Sequence, residues 1–483
     1  MCRFLPRLPR SITCASIPPA KRAIMTDARH PRFTPEDHLN TLLHRLKTRD
    51  CTVGVVGLGH VGFPLSATVA GAGFLTIGFD INQRIIDELN TGISRIGDVP
   101  SSAITDFVAT GRLRGTTDLA ELGDCDVVVI CVPTPLSKIK DPDLSYVVSA
   151  GRALSSVLRP GQLVILESTT YPGTTRDVLL PILEESGLRA GSDFFLCFSP
   201  ERVDPGNQIW TVSSTPKLIG GITSNCLTVG MTFYKTFIET VIALTSVEVA
   251  ELAKVYENTF RMVNIALANE LALICSRLGL DVWEVIDAAS SKPFGFMRFT
   301  PGPGLGGHCI PLDPHYLSWK MENLEFKTRL IDLASEINAG MPSAVVSLIG
   351  DALNDSTRAV RGSNVLIIGI AYKPDVADYR ESPALEIMRL LMERGAEVSF
   401  HDPFCPTIEE ETFLRLSDLA MRSVELTAGR LASADAVVIV TNHSSFDYQW
   451  LADTARVIID TRGAMRRITG TARIVGLSGQ ASG

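Results

Sequence analysis

The chain has 483 residues, 45% of them apolar and 20% charged, so it is long enough for two or three globular domains. A net charge of -8 and no basic stripe beyond residue 50 argue against a nucleic-acid partner. No apolar run approaches the roughly 18 residues of a membrane helix, so no membrane partner is expected. The ten cysteines form no CxxC pair, which favours reduced thiols and a cytoplasmic protein.

The first 24 residues carry five Arg or Lys and no acid, a composition typical of a transit peptide. Met25 offers an alternative start, and the upstream residues would then be an artefact or a disordered tail. We favour the second interpretation. Residues 1–49 are therefore expected to be a disordered extension or a misannotated start, with the first domain beginning near residue 50.

Residues 51–82 have the pattern of a βαβ unit. Residues 53–56 and 75–80 are rich in strand-forming residues, and the small and apolar residues 64–72 between them indicate a helix. Further apolar strands, which alternate with helical segments, are expected at residues 125–133, 162–169 and 194–200. This alternation predicts a parallel, doubly wound sheet in a domain of residues 50–240.

The turn between the first strand and helix reads GLGHVG, a GxGxxG pattern. Such a turn lets the backbone approach a pyrophosphate, whose charge then lies at the helix N-terminus. Asp80 closes the next strand, where its carboxylate can accept hydrogen bonds from a ribose diol and repel a 2′-phosphate. This context predicts NAD rather than NADP, and a nucleotide site rather than an unliganded glycine turn. The expected cofactor contacts here are Gly57, Gly59, His60, Val61, Gly62 and Asp80.

From Val247 onward, apolar residues recur at helical spacing for about thirty residues without a proline. This pattern predicts one long helix in a central helical domain, residues 241–345. Its apolar stripe needs covering, so we expect a homodimer or a higher homo-oligomer. From Ser363 a second αβ pattern follows without the glycine turn, and predicts a domain of residues 360–475. The expected fold is α/β, with two Rossmann-like doubly wound domains joined by a long central helix in a helical domain.

Residues 301–314 read PGPGLGGHCIPLDP and place four glycines before one cysteine. A thiolate is a competent nucleophile, and the N–H groups of Gly306 and Gly307 are expected to stabilise it or an oxyanion attached to it. A thiol is useful to a dehydrogenase that oxidises an aldehyde further, through a thiohemiacetal and a thioester, to an acid. Two alternatives are an inert buried thiol and a metal site, but the spacing matches no zinc pattern and no metal is expected. The metal site would comprise His308, Cys309, Asp313 and His315.

Seven motifs in this order resemble those of the UDP-glucose/GDP-mannose dehydrogenase family, the nucleotide-sugar 6-dehydrogenases. They are GLGHVG (57–62), PTP (133–135), ST (168–169), SPE (199–201), ELAKVYEN (251–258), GPGLGGHCIPLD (302–313) and YKPDVADYRESP (372–383). The resemblance covers about residues 50–465. It implies an N-terminal NAD domain, a helical dimerisation core and a C-terminal domain that binds the UDP. It also implies oxidation of a sugar C6 alcohol to a carboxylate with two NAD.

The resemblance implies roles for five catalytic side chains. Cys309 matches the thioester nucleophile. Lys254 matches the residue that polarises the oxyanion, and Asn258, four residues on along the same helix face, shares that charge or holds a water. Asp313 matches the acid that assists proton transfer, and Glu201 the glutamate of thioester hydrolysis. Without the resemblance, Lys254 would be read as a solvated helix residue, Asp313 as a turn residue and Glu201 as a surface acid.

Six further positions carry expected contacts. Thr169 matches the threonine that orders the catalytic water, and Thr134 of the PTP motif belongs to the cofactor loop. Arg380 matches the arginine that links the C-terminal domain to the cofactor side of the active site. Arg298, Phe299 and Gly306 flank or belong to the glycine-rich loop, and are expected to contact the sugar.

The identity of the sugar stays open. The segments ESTTYPGTT, SPERVDPGN and TNHSSFDY resemble the branch that acts on UDP-N-acetylglucosamine and feeds polysaccharide biosynthesis. The chain departs from the UDP-glucose enzymes at His308, Leu312 and Pro205, where they usually carry serine, lysine and glutamate. UDP-N-acetylglucosamine is favoured, with UDP-N-acetylmannosamine and UDP-glucose as alternatives. Two other classes remain, a catalytically silent binder of NAD and nucleotide sugar, and a one-step hydroxyacid dehydrogenase.

Overall fold

The structure is a computed structural model that describes residues 34–97, 99–137, 141–204, 207, 209–408, 421–479 and 481–482. The prediction for residues 1–24 lies outside these ranges. Within them, no helix combines the length and the apolar character needed to cross a bilayer. The eight cysteines in these ranges are all free, and the cytoplasmic location stays a prediction.

The first domain is built on a sheet that has eight strands in the described part of the chain. They are β1 (Thr52–Val56), β2 (Leu75–Phe79), β3 (Leu113–Thr116), β4 (Val127–Ile130), β5 (Leu163–Leu166), β6 (Phe195–Phe198), β7 (Lys217–Gly221) and β8 (Val241–Ala243). Their order is β3-β2-β1-β4-β5-β6-β7-β8, and β7 is antiparallel to β6 while the other neighbours are parallel. Strand addition changes direction between β1 and β4, where doubly wound sheets form a ligand crevice.

Helices cover both faces of this sheet. They are α1 (Pro35–Thr48), α2 (Gly62–Gly71), α3 (Gln83–Asn90), α4 (Ser101–Ala109), α5 (Ser145–Ser155), α6 (Leu180–Glu184) and α7 (Ser224–Tyr234), with a 3₁₀ helix at Leu119–Asp124 and a π-helical turn at Thr175–Leu179. Every residue of β4, β5 and β6 is buried, which explains why these strands are continuous apolar runs. The predicted parallel, doubly wound sheet is confirmed.

Helix α1 corrects one expectation. The Thr34 side chain and Asp37 cap its first turn reciprocally, and Leu42 and Leu46 are buried against the sheet. The guanidinium of Arg45 donates to both carboxylate oxygens of Asp126, at 2.5 and 2.7 Å. The prediction of a disordered extension is therefore wrong for residues 35–48, because this amphipathic segment belongs to the core of the first domain.

Replacing Leu46 with alanine tests this assignment. Because Leu46 is fully buried, we expect Leu46→Ala to lower the free energy of unfolding by about 2–5 kcal/mol. Urea denaturation followed by circular dichroism measures the change. Asn40→Ala, at an exposed position of the same helix, is the matched control and should change stability by less than about 0.5 kcal/mol. Equal effects of the two variants would show that α1 does not contribute to the core.

A long helix, α8 (Val247–Leu278), begins at the Ser246 cap and ends at Gly279, which has a left-handed φ of 69°. The predicted helix of about thirty residues is confirmed. Three more helices of the central region are α9 (Val282–Ser290), α10 (Asp313–Glu322) and α11 (Arg329–Asp355). Helix α11 packs along α8, and the amide of Asn269 donates to the Asn338 side-chain oxygen at 2.8 Å. These two helices therefore pack against each other as a pair.

The C-terminal region forms a second sheet, with the order β10-β9-β13-β14-β15-β16 in the described residues. Its strands are β9 (Asn364–Ile368), β10 (Glu397–His401), β13 (Ala436–Ile439), β14 (Val457–Asp460), β15 (Arg473–Gly476) and β16 (Ala481–Ser482), and β11 (Thr407–Ile408) pairs separately with β12 (Met421–Arg422). The accompanying helices are α12 (Pro383–Glu393), α13 (Ala428–Ser433) and α14 (Tyr448–Thr454). The predicted fold class, with two Rossmann-like domains joined by a long central helix, is confirmed.

Candidate active site

A cleft of about 1450 Å³ lies where the two sheets and α8 meet. Most of the predicted site residues line it, although they come from segments far apart in the sequence. They are Gly57, Gly59, His60, Val61, Asp80, Thr134, Thr169, Glu201, Lys254, Asn258, Gly306, Cys309, Asp313 and Arg380.

The glycine turn after β1 has the shape that a dinucleotide needs. Gly57 has a φ of 92°, and a Cβ there would lie 2.7 Å from the carbonyl oxygen of Cys131. A Cβ at Gly62 would lie 1.9 Å from the carbonyl oxygen of Gly57, so this glycine allows close packing beneath the turn. A Cβ at Gly59 would have no atom within 4 Å, which leaves the space above the turn open for a pyrophosphate.

Asp80 closes β2 beside this turn. One carboxylate oxygen accepts the Leu58 N–H at 2.9 Å and the other accepts the Asn82 N–H at 2.9 Å. The side chain therefore braces the turn while it faces the cleft. Together with the open space at Gly59, this arrangement fits the ribose and pyrophosphate of NAD.

The ends of β4 and β5 are joined by side-chain hydrogen bonds. The Thr134 hydroxyl donates to the Thr169 carbonyl at 2.8 Å, and the Ser168 hydroxyl donates to the Val132 carbonyl at 2.7 Å. The hydroxyl of Tyr316 on α10 donates to the Thr134 carbonyl. These bonds fix Thr169 at the cleft wall and connect the first domain to the helix that carries Asp313.

One face of α8 presents Lys254 and Asn258 to the cleft. The Asn258 side-chain amide donates to the Asp313 carboxylate at 2.6 Å, and all three side chains are buried or nearly so. Burial raises the pKa of Asp313 to about 6, although the Lys254 charge and the Asn258 hydrogen bond oppose the rise. The carboxyl group is therefore poised to exchange a proton near neutral pH.

Cys309 lies just before α10, and its side chain is exposed to the cleft. The Asp313 N–H donates to the Cys309 carbonyl at 2.9 Å, which fixes the short turn between them. Dense surrounding protein raises the pKa of the thiol to about 11, with a further rise from Asp313 and opposing effects of Lys254, Arg380 and Arg261. At neutral pH the sulfur is accessible but protonated, so a reaction at Cys309 requires a base.

The two glycines directly before His308 have a packing role that was not predicted. A Cβ at Gly306 or Gly307 would lie 2.8 Å from the Tyr372 side chain, so these glycines allow the C-terminal domain to pack on the loop. The Gly307 N–H donates to the Arg380 carbonyl at 3.0 Å. The expectation that this N–H stabilises a thiolate or an oxyanion is therefore wrong, because the group is already occupied.

Arg380 reaches the cleft from the C-terminal domain. Its guanidinium pairs with both oxygens of Asp378, the shortest contact being 2.6 Å. His308 lies near this pair and near His60 of the glycine turn. Burial lowers the pKa of His308, and the charges of Arg380 and His60 lower it further. The C-terminal domain and the dinucleotide turn therefore meet beside the cysteine.

Arg298 and Phe299 do not line the cleft of the single chain. The Arg298 guanidinium pairs with Asp287 at 2.6 Å, and the Phe299 ring packs at 5.8 Å from the ring of Phe260 on α8. The structure therefore does not bring these two residues together with Cys309 within one copy of the chain.

Several cleft residues were not predicted from the sequence. Arg261 on α8 lines the cleft three residues after Asn258, and this helical spacing was a usable signal. Lys373 of the C-terminal domain pairs with Asp204 of the first domain at 2.7 Å across the cleft. No sequence pattern indicates that second contact, because it depends on how the two domains meet.

Sequence profiles of three domains match this chain. They are the NAD binding domain of the UDP-glucose/GDP-mannose dehydrogenase family over residues 51–238, its central domain over residues 248–340, and its UDP binding domain over residues 366–467.

Similar proteins support the same family. The chain is 40% identical over 358 residues to the UDP-N-acetyl-D-glucosamine 6-dehydrogenase of Pseudomonas aeruginosa, a match that covers 74% of this chain and 83% of that protein. It is 34% identical over 420 residues to the UDP-N-acetyl-D-mannosamine dehydrogenase of Pyrococcus horikoshii, covering 86% and 96%.

Two solved structures have the same fold. The UDP-N-acetyl-D-mannosamine dehydrogenase structure from Pyrococcus horikoshii gives a TM-score of 0.80 at 33% identity and covers 88% of this chain and 99% of that one. A UDP-glucose dehydrogenase from Pyrobaculum islandicum gives 0.78 at 28% identity and covers 89% and 98%. This chain therefore belongs to the UDP-glucose/GDP-mannose dehydrogenase family, and is an NAD-dependent oxidoreductase of nucleotide sugars.

Proposed function

We propose that this enzyme oxidises the C6 hydroxyl of a UDP-sugar to a carboxylate through a thiohemiacetal and a thioester on Cys309. The observation that carries the proposal is the position of the Cys309 thiol in the same cleft as the dinucleotide turn, beside Lys254, Asn258 and Asp313. A dehydrogenase that stopped at an aldehyde would not need a nucleophile there. NAD, when bound, accepts one hydride in each of the two oxidations.

The roles of the side chains follow from their chemistry. Asp313 accepts the proton of the Cys309 thiol as sulfur attacks the aldehyde carbon. Lys254 and the Asn258 amide face the same space and stabilise the negative charge that develops on the sugar oxygen. Glu201 activates the water that hydrolyses the thioester, with Thr169 holding that water. Arg380 contacts the cofactor from the C-terminal domain.

The pKa values of Asp313 and Cys309 predict a pH profile. Asp313 must be ionised to accept the thiol proton, so we expect kcat to fall as pH drops through about 6. Asp313→Asn should lower kcat by about 10²–10⁴-fold and remove this acidic limb. Initial rates between roughly pH 5 and 9 measure both effects. An unchanged acidic limb in Asp313→Asn would assign the titration to another group.

The preferred sugar is UDP-N-acetylglucosamine in this proposal. The support is the segments ESTTYPGTT, SPERVDPGN and TNHSSFDY together with the similarity to the Pseudomonas aeruginosa enzyme. UDP-N-acetylmannosamine and UDP-glucose are the alternatives, since relatives named for these sugars also match. The product would be a uronic acid precursor for polysaccharide biosynthesis.

A panel of the three UDP-sugars with NAD tests the substrate. We expect kcat/KM for UDP-N-acetylglucosamine to exceed the values for the other two sugars by at least about tenfold. Mass spectrometry should identify the product as the C6 acid. Preference for another sugar contradicts the substrate assignment, and an aldehyde or keto product contradicts the reaction type. If the protein binds NAD and UDP-sugar but forms no NADH, it is instead a catalytically silent binding protein.

We also propose a homodimer or a higher homo-oligomer built on α8. Several large apolar side chains of this helix are exposed in the single chain: Val249, Leu252, Tyr256, Phe260, Leu267, Ile274 and Leu278. A stripe of this length is typical of a subunit interface, and a second copy is the partner that the continuous helix fits best.

Charge placed on the stripe tests the oligomer. Leu267 is 64% exposed, so Leu267→Lys leaves the monomer fold intact but places an unpaired charge in the proposed interface. We expect the wild-type chain to sediment as a dimer or larger species and the variant as a smaller one. A wild-type monomer at micromolar concentration would contradict this assignment.

A further inference from the structure

A group of four side chains lies at the floor of the cleft, and only Glu201 among them has a role in the mechanism proposed above. Glu167 follows β5, Glu201 follows β6, Lys217 opens β7, and Tyr234 ends α7. Lys217 is only 6% exposed, Glu167 1% and Tyr234 0%. Glu167 and Glu201 line the cleft, and Lys217 and Tyr234 lie behind them. A buried lysine is uncommon, so its contacts require an explanation.

Lys217 bridges the two carboxylates. Its ammonium nitrogen lies 3.0 Å from one oxygen of Glu167 and 3.7 Å from one oxygen of Glu201. The Tyr234 hydroxyl donates to the other oxygen of Glu167. The second oxygen of Glu201 accepts the Arg202 N–H at 2.8 Å and the Val203 N–H at 2.5 Å. Backbone groups therefore hold one side of the Glu201 carboxylate, and Lys217 faces the other.

The two carboxylates keep Lys217 positively charged although it is buried. Burial lowers the pKa of Lys217, but Glu167 and Glu201 outweigh that effect and the net pKa is raised. Lys217 is therefore a cation at neutral pH. Among the described residues, Lys217 is the only cation whose charged group lies within 4 Å of the Glu201 carboxylate. The guanidinium of the neighbouring Arg202 pairs instead with Glu257, at 2.7 Å.

The group is separate from the one around the thiol. In the described part of the chain, no hydrogen bond or ion pair joins Glu167, Glu201 or Lys217 to Asp313, which instead accepts the Asn258 amide. The cleft thus has two carboxylates with different partners. This separation suits two chemical steps, because Asp313 and Glu201 each have their own hydrogen-bonding and charged neighbours.

We infer that Lys217 is a positioning residue for Glu201 in the hydrolysis of the Cys309 thioester, and that its ammonium group holds this carboxylate directed at the attacking water. The inference rests on the proposed function. In the hydrolysis, Glu201 takes a proton from water as the water oxygen bonds to the acyl carbon. The carbon–sulfur bond then breaks, and the sulfur takes up a proton. No electron is transferred, and Lys217 touches no reacting atom. Glu167 and Tyr234 orient Lys217.

Lys217→Met tests the inference, because methionine is an unbranched side chain only one atom shorter than lysine and carries no charge. Rapid mixing with excess NAD and UDP-N-acetylglucosamine should still produce a burst of two NADH per active site. The steady-state kcat should then be at least tenfold lower, with an acyl-enzyme at Cys309 visible in the intact mass after acid quenching. Lys217→Arg should restore most of the steady-state rate.

A second variant covers failure to fold. Lys217→Met alone leaves Glu167 buried without its cation, which destabilises the domain. The double variant Lys217→Met/Glu167→Gln keeps the buried group neutral and should fold, and it should still accumulate the acyl-enzyme. Lys235→Met, which removes an exposed lysine one residue beyond α7, is the control for loss of a positive charge.

The outcomes are distinct. Slow steady-state turnover with a normal burst and an accumulated acyl-enzyme supports the inference. A double variant that turns over at the wild-type rate overturns it, as does a burst that slows in proportion to the steady state. Failure of the proposed function is detected in the wild-type enzyme and not in the variants. In that case the wild-type enzyme would give fewer than two NADH per sugar.

Discussion

Replacing Cys309 with serine is expected to lower turnover by at least about 10³-fold while the affinity for NAD stays within about twofold of the wild-type value. Serine keeps the size of the side chain, but its hydroxyl is a far weaker nucleophile than a thiolate. The cysteine lies on the loop before α10, whereas the dinucleotide turn lies after β1, so the substitution leaves the turn unchanged. Steady-state rates and NAD titration by tryptophan fluorescence measure the two quantities.

The matched control is Cys275→Ala. Cys275 is 1% exposed near the end of α8, and packs in the core rather than along the cleft. This variant should retain most of the wild-type kcat. A Cys309→Ser enzyme with more than about a tenth of the wild-type rate would show that no thioester at this position is required.

Replacing Lys254 with methionine has the second large expected effect. Lys254 is 9% exposed and faces the cleft beside Asn258, so its charge acts in surroundings from which water is largely excluded. Loss of one preorganised donor to an oxyanion typically costs about 10²–10³ in kcat, and we expect a loss in this range. Because the Lys254 charge lowers the pKa of Asp313, its removal should also shift the acidic limb of kcat above about pH 6.

Two readouts separate this role from a structural one. A lysine that only supported the helix would change stability without moving the acidic limb. Lys235→Met, at an exposed position, should leave both kcat and the limb unchanged. A Lys254→Met enzyme with a kcat within about threefold of wild type would contradict the assigned role.

Features carried by contiguous residues were predictable. The glycine turn of residues 57–62 lies between its own strand and helix, and its other tight contacts are with Cys131 and Val132, just after the adjacent β4. The long helix α8 was predictable from apolar spacing and the absence of proline over about thirty residues. Cys309 was recognisable as a site residue because four closely spaced glycines are unfavourable in a helix or a strand. They therefore place the single cysteine that follows them on a loop.

Features that depend on distant segments were not predictable. The N–H groups of Gly306 and Gly307 were expected to stabilise a thiolate or an oxyanion, yet the atoms that crowd these glycines belong to Tyr372 of another domain. The charge on Lys217 depends on Glu167 and Glu201, which reach it only because β5, β6 and β7 are neighbours in the sheet. Helix α1 was missed because its two buried leucines are too few to distinguish a core helix from a tail.

The number of NADH molecules formed per sugar tests the central claim most directly. A limiting, known amount of UDP-N-acetylglucosamine is converted to completion with excess NAD, and the final absorbance of NADH is divided by the amount of sugar consumed. Oxidation of an alcohol through a thioester to an acid removes four electrons, so we predict two NADH per sugar. One NADH per sugar, with an aldehyde or ketone as the product, would contradict the account.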